Sequence, residues 1–184
     1  FAFALWDKVE QQLSLARDRI GEKPIYYGRR GGVFLFGSEL KALAAHPQWE
    51  GNIDRDSLAL FMRYNHVPSP NSIYQRIKKL PAAHYVVIRD RGVRVESPQC
   101  YWSLSEVACT GITQSQSTDL NAEALVEELD QLLRDAVGLR MLADVPIGAF
   151  LSGGYDSTMI VAQMQAQSSK PIKTFSIGIE DSED

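Results

Sequence analysis

Cysteine is nearly absent from this sequence: Cys100 and Cys109 are the only two in 184 residues. Neither belongs to a CxxC pair or neighbours a histidine, which excludes a disulfide framework and a thiolate metal centre and predicts free thiols. Histidine is equally scarce, and His46, His66 and His84 lack the spacing of a metal site. Basic charge is not in excess. Lys and Arg total 19 against 23 Asp and Glu, a net charge of −4, so the electrostatic basis for a nucleic-acid or anionic-membrane partner is missing. No stretch approaches the roughly 20 apolar residues of a bilayer span. The opening FAFALWDKVEQ also lacks the charged, apolar, then small order of a signal peptide. The expected setting is the cytoplasm. A start at Phe1 without Met, already in an apolar run, and a stop at Asp184 just after a strand-like stretch predict an excerpt of a longer protein.

What is present is a globular balance, 45% hydrophobic and 23% charged, enough for a sizeable core. From Phe1 to Gly37, FAFALW, LSLAR, PIYYG and VFLFG alternate with turn-prone pieces, predicting short strands of an antiparallel sheet. Ser38 precedes the helix-forming run Glu39 to Ala45 as its expected cap. Asp54 or Asp56 caps a second helix to about Tyr64, whose stripe of Leu58, Phe61 and Met62 reads as core. Two prolines make Val67 to Asn71 a loop, and His84–Arg89 with Val93–Val95 reads as a hairpin.

Residues 103–118, rich in Ser, Thr, Gln and Gly without a period, are the expected linker between a first domain, 1–102, and a second, 119–184. Asp119 is expected to open a long amphipathic helix with Leu125, Leu129, Leu132, Leu133, Ala136, Val137 and Met141 on one face. A strand over Val145–Leu151, a turn, a helix over Thr158–Ala166 and a strand over Ile172–Ile179 then predict the start of a parallel α/β sheet.

The strongest chemical signal is the turn Leu151-Ser152-Gly153-Gly154-Tyr155-Asp156-Ser157. Two glycines permit positive φ and close backbone approach, and the helix start that follows offers N–H groups and the positive end of its dipole to an anion. Ser152 and Ser157 can donate to phosphate oxygens. Asp156 would repel phosphate unless it holds a cation, so Mg²⁺ is expected there. The bland alternative is an ordinary Gly-Gly turn, but a chance match to SGGxDS in such a chain is on the order of one in several thousand. With no lysine after the glycines, the turn is not GxxxxGK[ST].

SGGxDS after an apolar strand resembles the pyrophosphate loop of ATP pyrophosphatases, and ADVPIGAFLSGGYDS is similar to the version in glutamine-hydrolysing asparagine synthetases. FAFALWD, ARDRIGEKPIYYG, FLFGSELKAL, YNHVPSPNSIYQRIKKLPAAHY, AVGLRMLADVP and TFSIGIEDSED follow that family in order. The resemblance implies an α+β segment, the C-terminal part of an αββα N-terminal-nucleophile glutaminase, followed by the first part of an α/β ATP pyrophosphatase domain. It implies ATP and Mg²⁺ as cofactors, aspartate and glutamine as further small-molecule substrates, and adenylation of aspartate followed by attack of glutamine-derived ammonia. Ser152, Gly153, Gly154, Asp156 and Ser157 would hold the pyrophosphate portion, Asp156 would ligate the metal, and Leu151 and Ile177 would contact the adenosine. A homodimer stays open.

The family's nucleophilic cysteine would lie upstream, so no catalytic residue is assigned and the chain alone is expected to be inactive. Tyr155 stands where a smaller aliphatic residue is expected. Two alternatives stay open: a related amidotransferase or β-lactam-type synthetase acting on another acid, and a non-catalytic nucleotide-binding protein. The clusters Arg17-Asp18-Arg19 and Glu39/Lys41 read as turn and cap residues.

Overall fold

A computed structural model describes residues 1–115 and 121–178 and shows a mixed α/β chain dividing into two compact units, Phe1–Ile112 and Thr113–Asp184. In the first, β1 (Ala2–Asp7), β2 (Gln12–Arg17), β3 (Tyr26–Arg30) and β4 (Val33–Gly37) are followed by the short helix α1 (Leu40–Ala44) and by α2 (Arg55–Tyr64). The strands β5 (Ile77–Lys79), β6 (His84–Arg89), β7 (Arg94–Val95) and β8 (Gln99–Cys100) follow, and then the helix α3 (Leu104–Ser115), whose last three residues fall in the second unit. They form two antiparallel sheets, one ordered β1-β2-β6-β7 with β8 also on β6, the other β4-β3-β5.

Period-two alternation decides which side chains go inside. Leu15 faces Val86 across the β2–β6 ladder. Both are fully buried, in one cluster with Ile25, Tyr27, Leu80 and Ile88. The opposite face of the smaller sheet buries Leu35 and Ile77 against Leu43 of α1, with Trp49 and Tyr74 edge to face beside them. Close approach requires glycine at Gly28, where a Cβ would collide with the Arg76 carbonyl oxygen.

Several expectations change. The first helix is preceded by extended Glu39, without a side-chain cap bond, so Ser38 does not cap it. For α2 the cap is Asp54, which accepts a hydrogen bond from the Ser57 N–H at 2.9 Å. The stripe expected as core is not core: Leu58, Phe61 and Met62 are 41%, 44% and 74% exposed, and the buried residue of α2 is Ser57. The helix is anchored at its N-terminal end, where Asp54 N–H donates to the Ile73 carbonyl, and its apolar stripe borders a cavity instead. Helix α3 runs through the stretch expected to be an irregular linker. Its start is stabilised by the Ser103 hydroxyl, which accepts from the Glu106 N–H at 3.3 Å.

The second unit contains α4 (Ala122–Arg140), β9 (Gly148–Phe150), α5 (Tyr155–Ala166) and β10 (Lys173–Phe175). Asp119 and Ile179, expected as a helix start and a strand end, lie outside the described residues. In the described part α4 is capped by Asn121, which accepts from the Glu123 N–H at 3.0 Å. Both strands are shorter than expected, and they pair in parallel, Phe150 opposite Phe175. Gly148 packs under the Phe175 ring, which a Cβ would approach to 2.6 Å. Val137 of α4 and Met164 of α5 are this unit's buried side chains among the described residues.

Candidate functional site

The parallel pair ends in a turn whose backbone is tied on both sides. Leu151 N–H donates to the Phe175 carbonyl at 2.9 Å, and the Leu151 carbonyl accepts from the Ser176 hydroxyl at 2.7 Å. The chain then turns through Gly153 at φ +84°, a left-handed conformation that only glycine adopts freely. A Cβ at Gly153 would meet nothing within 4 Å, so this glycine serves backbone conformation and an open surface rather than packing.

Gly154 is the N-cap of α5 and supplies no side-chain acceptor. The first N–H groups of a twelve-residue helix therefore point out of the turn without a side-chain partner at the cap position. Such a helix start attracts anions through its donors and its dipole. Around it stand the Ser152 and Ser157 hydroxyls, 3.1 Å apart. Ser157 also donates to the Gly154 carbonyl at 3.1 Å, as does the Thr158 hydroxyl at 2.8 Å. These bonds fix the backbone of the turn.

Asp156 lies in the first turn of α5, exposed. Among the described residues no group of three His, Cys, Asp or Glu makes a closed metal cage. A lone carboxylate beside an anion cradle suits Mg²⁺, which commonly binds through one or two carboxylates together with phosphate oxygens and water. It does not suit a closed structural zinc site.

Leu151 is half-buried at the end of β9, and Ile177 follows β10 with 87% of its surface exposed. Both stand at the carboxyl edge of the parallel pair, the edge at which open α/β sheets bind ligands. The backbone thus gathers Leu151, Ser152, Gly153, Gly154, Asp156 and Ser157 at one turn and sets Ile177 two residues beyond the end of the neighbouring strand. Tyr155, 97% exposed at the first helical position, makes no part of the core. Sequence reasoning missed Ser176, which clamps the turn to β10, and Thr158, which closes the first turn of α5. The other charged clusters serve structure. Arg17 donates from Nε to Lys23 O, from Nη1 to Leu80 O and from Nη2 to Gly21 O, and Asp18 accepts from the N–H groups of Ile20, Glu22 and Lys23.

Comparison with known proteins adds an independent finding. A family model described as a glutamine amidotransferase domain matches residues 1–102, and one described as asparagine synthase matches residues 128–184. A putative glutamine-hydrolyzing asparagine synthetase of Methanocaldococcus jannaschii is 37% identical over 183 residues, covering 98% of this chain and 34% of the relative. A glutamine-hydrolyzing asparagine synthetase of Bacillus subtilis is 34% identical over 188 residues, covering all of this chain and 29% of the relative. The amidase chry2 of Gibberella zeae is 30% identical over 168 residues, 89% of this chain and 23% of the relative. The chain spans about a third or less of the length of these relatives.

Proposed function

The chain belongs to the glutamine amidotransferase family, matched over residues 1–102 and followed by an asparagine synthase segment over 128–184, and on that premise we propose that it is part of a glutamine-dependent asparagine synthetase. Residues 1–102 are then the C-terminal part of an αββα N-terminal-nucleophile glutaminase. Residues 103–118 join it to the start of an ATP pyrophosphatase domain at 119–184. Two antiparallel sheets sharing one apolar core support the first assignment, and the parallel β9–β10 pair supports the second.

The observation that carries the reading is the glycine turn at the carboxyl edge of that pair, with Gly153 at φ +84° and no side-chain cap on α5. ATP is to lie with its β- and γ-phosphates over the α5 N–H groups, where Ser152 and Ser157 donate to phosphate oxygens. Its adenosine rests toward Leu151 and Ile177. Mg²⁺, held by Asp156 and phosphate oxygens, would neutralise charge on the departing pyrophosphate. Aspartate attacks the α-phosphorus through its side-chain carboxylate, releasing pyrophosphate. Ammonia released from glutamine then displaces AMP to give asparagine. This chain's residues bind and orient the nucleotide, and catalysis at this site is mainly positioning and charge stabilisation. The substrates are small molecules in the cytoplasm, with a homodimer left open. The net charge of −4 supports the exclusion of nucleic acid, and among the described residues no helix is long and apolar enough to cross a membrane.

The test is ATP–pyrophosphate exchange by the full-length protein. Aspartate-dependent exchange that Asp156→Ala reduces at least about a hundredfold supports the reading, a loss of the size expected when an electrostatic partner of the transition state is removed. Exchange with another acid alone would favour the second reading, a related amidotransferase or β-lactam-type synthetase of different substrate. Absence of exchange with every acid tried would leave a non-catalytic nucleotide-binding protein.

A further inference from the structure

We propose that the cavity bordered by α2 and by the smaller sheet of the first unit binds a small carboxylate with an apolar tail, anchored by Lys79. The cavity measures about 610 Å³, within the range of small-molecule sites, and its walls are mostly apolar, with Leu40, Leu58, Phe61, Val67 and Ile73 contributing. Leu58 and Phe61 belong to the α2 stripe whose pattern reads as core, yet they stay 41% and 44% exposed. Their apolar surface is spent on the cavity wall.

Lys79 is the cation at this wall. Its Nζ donates to the Val67 carbonyl at 3.0 Å and lies 5.7 Å from the centre of the Tyr26 ring. An ammonium has three donors, and among the described residues no carboxylate lies within ion-pair distance of this one. Burial and the nearby Arg17 cation both push its pKa down. A half-buried cation near a second cation and without a counter-charge is electrostatically unfavourable, and an anion entering the cavity relieves it. Carboxylate fits better than phosphate, because the cavity wall offers one lysine, with the His66 imidazole as its other basic side chain, rather than an arginine fork or a helix N-terminus. The apolar walls call for a hydrocarbon body on that carboxylate. The cavity shares no residue with the glycine turn, so the proposal stands or falls independently of the nucleotide reading.

Isothermal titration calorimetry of the full-length protein with octanoate, octan-1-ol and acetate tests it. Octanoate is expected to bind saturably and octanol about tenfold or more weaker, the discrimination that one charge-assisted hydrogen bond supplies. Acetate, lacking the tail, is expected to show no saturable binding. Lys79→Met should bring octanoate to the level of octanol, and Leu58→Gln should weaken both. Absence of saturable octanoate binding, equal binding of octanoate and octanol, or octanoate affinity unchanged by Lys79→Met overturns the proposal. Should Lys79→Met fail to fold by circular dichroism, the octanoate-to-octanol ratio in the unmodified protein decides alone.

Discussion

At Asp18 the backbone sets the charge state. Desolvation works to raise its pKa, but the N–H groups of Lys23 and Glu22 outweigh it and hold the carboxyl well below the usual carboxylate range. A depressed folded pKa stabilises the fold above the unfolded value of about 3.9, and that contribution is lost as pH falls further. Urea midpoints of the unmodified protein and Asp18→Asn are therefore expected to differ at pH 7 and to converge as pH drops below about 4. A gap that persisted into acid would mean that shape rather than charge is what Asp18 contributes. Gly28 is decided by space instead. The collision of a Cβ with the Arg76 carbonyl predicts that Gly28→Ala costs about 1–3 kcal/mol in urea unfolding, through a forced shift of β5. The role of Gly28 was not visible in the sequence, because folding brings Arg76 against it, whereas Asp18 was legible as a turn residue, its N–H partners lying two to five residues further on.

At the scale of elements, the sequence is most legible where one physical cause acts locally. The strands of the first unit follow apolar runs closed by turn residues, and α2 follows its Asp54 cap. Asp54→Ala is expected to lower stability by about 1 kcal/mol in thermal or urea unfolding. Helix α3 was harder to read because its Ser, Thr and Gly content suggests irregular chain. The signal was nonetheless present in Ser103 and Glu106, the S-x-x-E spacing of a capping box. The candidate site divides in the same way. Its glycine turn is a contiguous motif and could be read directly, whereas the Ser176 clamp on Leu151 joins residues 25 apart in sequence. Gly153→Ala tests the turn. At φ +84° an alanine costs roughly 1–2 kcal/mol of conformational strain although nothing obstructs its methyl group. Exchange activity should fall well before the melting temperature does, since the strained turn can relax into a non-binding shape.

On the scale of the whole molecule, the informative feature is apolar surface left in the open. The long helix α4 was expected to bury one face, but Leu125, Leu129 and Leu132 are 43%, 55% and 62% exposed, and Val137 is its one buried residue. A row of leucines at helical spacing on solvent is unusual for a stable monomer and marks a surface that meets another surface. The pattern was legible in the sequence, but what covers it was not, because periodicity reports that a face is apolar and not which partner lies against it. The relatives are about three times as long as this chain or longer, which leaves ample chain to provide that partner. Leu129→Glu separates the alternatives. In the 184-residue chain it replaces one exposed side chain by another and should change unfolding free energy by no more than about 0.5 kcal/mol. In a full-length protein that covers the face, the same change buries an unpaired carboxylate and should cost about 3 kcal/mol or more. Urea unfolding of both proteins measures the difference, and an equally small effect in each would show that α4 keeps this face in water throughout.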